Sequence, residues 1–135
     1  MHQLQLDPPA DVVADYSTDL PPTASSVPKA RAITRRQLAV WGAATHSDTA
    51  ELLVTELMTN ALRHAPASRI RLTLSSRQGS LLCEVRDDCS AHPVVSQAHG
   101  QDESGRGLFL VQQLSDRWGS RPSGTGKTVW FEIHS

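Results

Sequence analysis

An α+β fold is predicted, a two-layer sandwich with one mixed or antiparallel sheet covered on one face by helices. Three observations predict it. Two segments of helical period come first, ending near Gly42 and Ala65. Two stretches of strict alternation follow, "RIRLTLSS" and "SLLCEVRD", with only Gln78-Gly79 between them. At 135 residues the chain is long enough for one core of this kind and too short for two. Helices grouped beside antiparallel strands are satisfied by a sheet with one covered face.

Residues 1–22 carry "DPPADVVADYSTDLPP", with four prolines, several aspartates and little periodicity. They are expected to form a flexible tail that leads into a domain spanning 23–135, with room for one short edge strand at the tail's end. Ser25 or Ser26 can cap the first helix, and Pro28 is tolerated in its first turn. Val27, Ala30, Ile33, Thr34, Leu38 and Trp41 share one face until Gly42 stops the helix. The other face holds Lys29, Arg31, Arg35 and Arg36. A solvated face is the ordinary reading of such a charge set; a partner-docking surface is the sharper one.

The second helix is expected to start near Ser47 or Asp48, with Asp48 and Glu51 spaced as a capping box. It should end at Ala65-Pro66. Leu53, Leu57 and Met58 supply its core face, yet Glu56, Asn60 and His64 form a second line one turn apart. A carboxylate and an amide cost several kcal/mol to bury unpaired, so this line is either exposed or faces something polar.

In the two strands, Ile70, Leu72 and Leu74, then Leu81, Cys83 and Val85, each point to one side. The polar stretch from Asp88 to Ser104 reads as a long loop. A short helix over 105–116, a strand around Trp118, a Gly/Pro/Ser turn and a last strand "KTVWFEI" close the chain.

Composition excludes several classes. Charged residues make up 20% and the formal net charge is −1, so there is no basic field for nucleic acid. No apolar run reaches the roughly 20 residues a membrane span needs, and the first residues lack a signal-peptide pattern. A cytoplasmic protein without direct membrane contact is expected. Cys83 and Cys89 form no disulfide framework, and neither they nor His92 and His99 repeat a zinc-ligand spacing.

Four short stretches carry the chemistry. Gly105 and Gly107 in "SGRGLFLV" precede an apolar run, where free helix N–H groups favour an anion, although glycines easing a loop into a helix explain them as well. Asp87 ends a strand, where its carboxylate could accept from an exocyclic amine; a turn aspartate is the plain alternative. "GTGKT" resembles the end of a P-loop, but Arg121 stands where that motif needs glycine and a strand follows where it needs a helix. It reads as a hairpin turn that leaves Thr128 able to reach a ligand.

Taken in order, "ELMTNA", "VRDDC", "GRGL" and "GKTV" resemble the N box, the two glycine-box motifs and the last motif of the GHKL ATP-binding superfamily. The resemblance runs from about Ser25 to Ile133, and "SSVPKARAITRRQLAVWG" is similar to the small bacterial anti-sigma-factor serine kinases. It implies a Bergerat-type ATP-binding fold and a protein serine/threonine kinase that needs ATP and Mg2+. Glu56 would be general base and Asn60 would hold Mg2+ through its amide oxygen. Asp87 would bind the adenine amine with help from Thr128, while Gly105, Arg106, Gly107 and Leu108 would wrap the phosphates. Arg63 or His64 could touch phosphate, although a surface helix end is the plainer place for either, and the segment from Asp88 to Ser104 becomes the lid.

The same resemblance implies a sigma factor and an anti-sigma-factor antagonist protein as partners, and a homodimer. Arg31, Arg35 and Arg36 are candidates for the partner surface. One departure is Cys89, which stands where the family has glycine two residues after the adenine-binding aspartate. Loss of activity at that departure would leave a non-catalytic nucleotide-binding module that sequesters a regulatory partner, the alternative reading.

Overall fold

The computed structural model describes residues 4–5, 14–77, 80–88 and 103–134. Its elements are β1 (Leu4–Gln5), β2 (Ala14–Leu20), α1 (Ser26–Val40), α2 (Ser47–His64), β3 (Ile70–Arg77), β4 (Ser80–Asp87), α3 (Glu103–Leu114), β5 (Arg117–Ser123) and β6 (Gly126–His134). The strands form one sheet in the order β1-β5-β6-β4-β3-β2, antiparallel throughout except for the two-residue β1, which pairs parallel to β5. The expected α+β sandwich is the fold observed.

Alternation sets the two faces of the sheet. Leu72, Leu74, Cys83, Val85, Val129 and Phe131 point to one side and join Leu38, Leu53, Leu57, Met58 and Val111 of the helices in a single apolar cluster. Each such buried side chain contributes about 1.5–3 kcal/mol. The other face carries Arg71, Glu84, Arg86, Thr128, Trp130 and Glu132, as the cross-strand registers require. Glu132 is fully buried there and gathers Arg77, Arg117 and His134, with Arg117 Nη2 at 2.8 Å and His134 Nε2 at 3.0 Å. Burial pushes the Glu132 carboxyl up, but hydrogen bonds from His134 and Arg117 and the charges of Arg117 and Arg77 outweigh it, and its pKa is lowered.

Helix α1 packs Ala30, Thr34 and Leu38 inward at one-turn spacing, and the Thr34 hydroxyl donates to the Ala30 carbonyl at 2.8 Å. It ends in a Schellman motif: Ala43 N–H donates to Leu38 O, Gly42 N–H to Ala39 O, and Gly42 adopts φ +70°, which a side chain would resist.

Three expectations need correction here. The edge strand allowed at the end of the expected tail is longer than a short one: β2 is seven residues, paired along its whole length with β3, and Leu20 enters the core. The capping box does not form: His46 is the residue before α2, no side chain caps it, and Glu51 turns instead to Arg35 Nη2 at 2.6 Å. Helix α3 starts at Glu103, so Gly105, Arg106 and Gly107 lie inside it and not ahead of it. Cys89 and most of the expected lid fall outside the described residues.

Candidate functional site

Helix α2 packs on β4 and β6 with α3 alongside it. On its polar line Glu56 and His64 are half-buried, while Asn60 is 3% exposed. The Asn60 Nδ2 is shut from solvent and has no hydrogen-bond partner among the described residues. An amide nitrogen in that state costs about 1–3 kcal/mol, which a core position of α2 would avoid with leucine.

One turn further, the helix ends at Ala65, and the connection to β3 bends over the end of β4. Ser68 Oγ accepts from the Asp88 backbone N–H at 2.9 Å. Between them opens a cavity of about 430 Å³, lined by His64, Ala65, Pro66, Ala67, Ser68 and Asp88. His64 lines this cavity, whereas Arg63 is exposed on the same last turn.

Asp87 precedes Asp88 at the end of β4 and points to the helix side, two residues from Val85. Its side chain is 1% exposed and that of Lys127, directly opposite on β6, is 0% exposed. Lys127 Nζ donates to both carboxylate oxygens, at 2.9 and 3.1 Å. Gly126 lets β6 come against the Asp87 backbone carbonyl, fixing where the carboxylate projects. Thr128, expected to assist Asp87, pairs with Arg86 and stands on the opposite face of the sheet. The residue beside Asp87 is Lys127, which the motif reading passed over; the alternation of Val129, Phe131 and Ile133 carried the signal, since 127 continues that series.

Leu108 is buried in the core cluster, and the Gly105 to Gly107 backbone forms the first turns of α3 next to α2. Cys83 is buried in the core, and that burial, with the charge of Glu84, pushes its thiol pKa up, so it behaves as a small apolar residue. On α1, Arg35 and Arg31 reach Glu51 at 2.6 and 3.9 Å, and the three line a separate groove of about 310 Å³ with Leu52, Thr55 and Asp48. Arg36 is exposed outside that groove.

The donor set suits a nucleotide phosphate with a hard cation. The orphaned Asn60 amide offers an N–H to a phosphate oxygen or its carbonyl to Mg2+, which keeps most of its shell as water and phosphate. Among the described residues no group of three or more His, Cys, Asp or Glu side chains could hold a metal on its own. No helix among them is long and apolar enough to cross a membrane. Residues 20–133 match the family model described as a histidine kinase-like ATPase domain. No curated protein matches the chain.

Proposed function

The chain belongs to the histidine kinase-like ATPase domain family, an ATP-binding family, and from that premise we propose that it is an ATP- and Mg2+-dependent protein serine/threonine kinase of the anti-sigma-factor type. In this reading it binds a sigma factor and phosphorylates a small antagonist protein, working as a homodimer in the cytoplasm. The observation that carries the nucleotide site is the buried Asn60 amide, without a hydrogen-bond partner among the described residues, one turn from Glu56 on α2.

Each residue has a role its position allows. Glu56, half-buried and not sealed in the core, takes the proton of the attacking hydroxyl. Asn60 orients the phosphate end through its amide. The C-terminal end of α2 carries partial negative charge, so phosphate contact there comes from the side chains of His64 and Arg63 and not from the backbone. The first turns of α3, with Gly105, Arg106 and Gly107, offer the opposite helix pole, where N–H groups and the dipole favour anions. Mg2+, when bound, neutralises charge on the transferring phosphoryl group.

The test is incubation with γ-labelled ATP and a candidate antagonist protein. Label on an antagonist serine that vanishes with Glu56→Gln supports the kinase. Nucleotide-sensitive partner binding without label would replace it with the sequestering module, which the half-exposed, ion-paired groove of α1 and α2 would also serve.

A further inference from the structure

The carboxylate read as the adenine acceptor is already engaged within the chain. Lys127 Nζ donates to both of its oxygens, at 2.9 Å to Oδ2 and 3.1 Å to Oδ1. Asp87 has a further interaction beyond this pair. The two side chains are 1% and 0% exposed, so water does not stand in for either partner. A carboxylate takes N–H donors through a limited set of lone-pair sites. An ammonium competes for them better than a neutral amine, because charge-assisted hydrogen bonds are roughly twice as strong. Stability alone does not account for the lysine. A fully buried ion pair is often no more stabilising than apolar residues of the same volume, and Val129, Phe131 and Ile133 fill the same face of β6 with such residues. The backbones cannot part to free the carboxylate, since the register sets residue 127 opposite residue 87 and Gly126 brings β6 against the Asp87 carbonyl. What can move is the ammonium, on a flexible four-carbon stem.

We propose that Lys127 is a built-in competitor for the adenine-binding carboxylate: its ammonium holds Asp87 in the nucleotide-free chain and must leave before the exocyclic amine of the base can take its place. The inference rests on the nucleotide-binding reading above and adds to it a resting state closed to the base. Only the fraction of molecules with the ammonium withdrawn is competent to bind, so the pair weakens the apparent affinity by that fraction. Asp88, the next residue, lines the cavity of about 430 Å³, which leaves space for a base one residue from the sealed carboxylate.

The sequence holds two lysines, Lys127 and the exposed Lys29, so the full chain labelled with nitrogen-labelled lysine and carbon-labelled aspartate gives two ammonium signals to follow by NMR. Without nucleotide, a scalar coupling across the hydrogen bond should join Lys127 Nζ to the Asp87 carboxylate carbon. Saturating Mg-ATP should abolish it. Lys127→Met keeps the length of the stem and removes the charge, and calorimetry should show it binding ATP about tenfold or more tighter than wild type, the release of one charge-assisted contact. Binding of ATP by the variant alone would support the proposal in its strongest form. A coupling that survives saturation with ATP, or a folded methionine variant with the same or weaker ATP affinity, overturns the competitor role while the nucleotide site stands. No ATP binding by wild type or by a folded variant overturns both. The coupling is read in the wild-type chain, so it does not depend on whether the methionine variant folds.

Discussion

Gly126 meets the backbone of Asp87 so closely that a Cβ built at residue 126 would stand 1.7 Å from the Asp87 carbonyl oxygen and 2.6 Å from the Cα of Asp88. No rotamer can relieve this, because the clash is with main chain. Gly126→Ala must push the end of β4 away from β6. A loss of about 1–3 kcal/mol is expected, with a matching fall in melting temperature and in ATP affinity. An alanine variant that melts with wild type would show that the strand ends are not held as described.

Asn60 should trade stability for binding. Asn60→Leu removes a buried donor without a partner, so the nucleotide-free protein is expected to melt at or above the wild-type temperature, while ATP no longer raises that temperature. Retained ATP stabilisation in this variant would remove Asn60 from the site.

Glu56 should separate binding from transfer. Glu56→Gln is expected to keep ATP affinity within about twofold and to slow phosphoryl transfer by roughly 10²–10⁴, the range for removal of a general base. Calorimetry and a single-turnover assay on the same preparation read the two quantities. An unchanged transfer rate would reassign the base.

Acid unfolding should report on Glu132. Its pKa is lowered in the fold, so the stability it contributes is present above the unfolded glutamate value of about 4.3 and is lost as pH falls through the lower folded value. Glu84 works in the other direction. Burial raises its pKa against the opposing charge of Arg121, so its contribution is present below about 4.3 and is lost as pH rises through the folded value. Urea melts between pH 5 and pH 3 should show wild type losing stability more steeply than Glu132→Gln. Parallel curves would mean that the Arg77, Arg117 and His134 contacts do not favour the charged carboxylate.

Arg35 allows the partner surface to be separated from folding. Its ion pair with Glu51 is more than half exposed on the arginine side, so its loss should cost at most about 1 kcal/mol. Arg35→Glu is expected to weaken capture of the partner and to lower stability slightly, and adding Glu51→Arg should restore the stability but not the capture. A pull-down that recovers the partner equally from all three proteins would move the docking surface elsewhere.

Much of the fold was legible because long-range order followed from local period. Ile70, Leu72 and Leu74 against Leu81, Cys83 and Val85 fixed the central hairpin, and Leu53, Leu57 and Met58 fixed the covering face of α2. β2 was harder to see because its alternation is polar on both sides: Asp15, Ser17 and Asp19 are exposed, Tyr16 and Thr18 are half-buried, and only Leu20 is buried. An edge strand borrows its hydrogen bonds from its neighbour, and no apolar stripe announces it. The helix expected over 105–116 runs instead from Glu103 to Leu114, and its two glycines, poor helix formers, are held in it where it packs against α2. At the site, the helix line from Glu56 to His64 was readable from spacing. Lys127 was not, since a motif that ended in threonine drew attention one residue along the strand and so to the wrong side of the sheet.

Among the described residues β2 is one border of the sheet, a template on which a second polypeptide could continue the ladder. Asp15 and Asp19 lie on the open face of that strand and are exposed, and Asp19 is met by Arg71 at 3.0 Å. An approaching copy would set its own carboxylates next to these on the open face, where like charges repel. The acidic rim therefore works as a gatekeeper against fibrillar growth from this side.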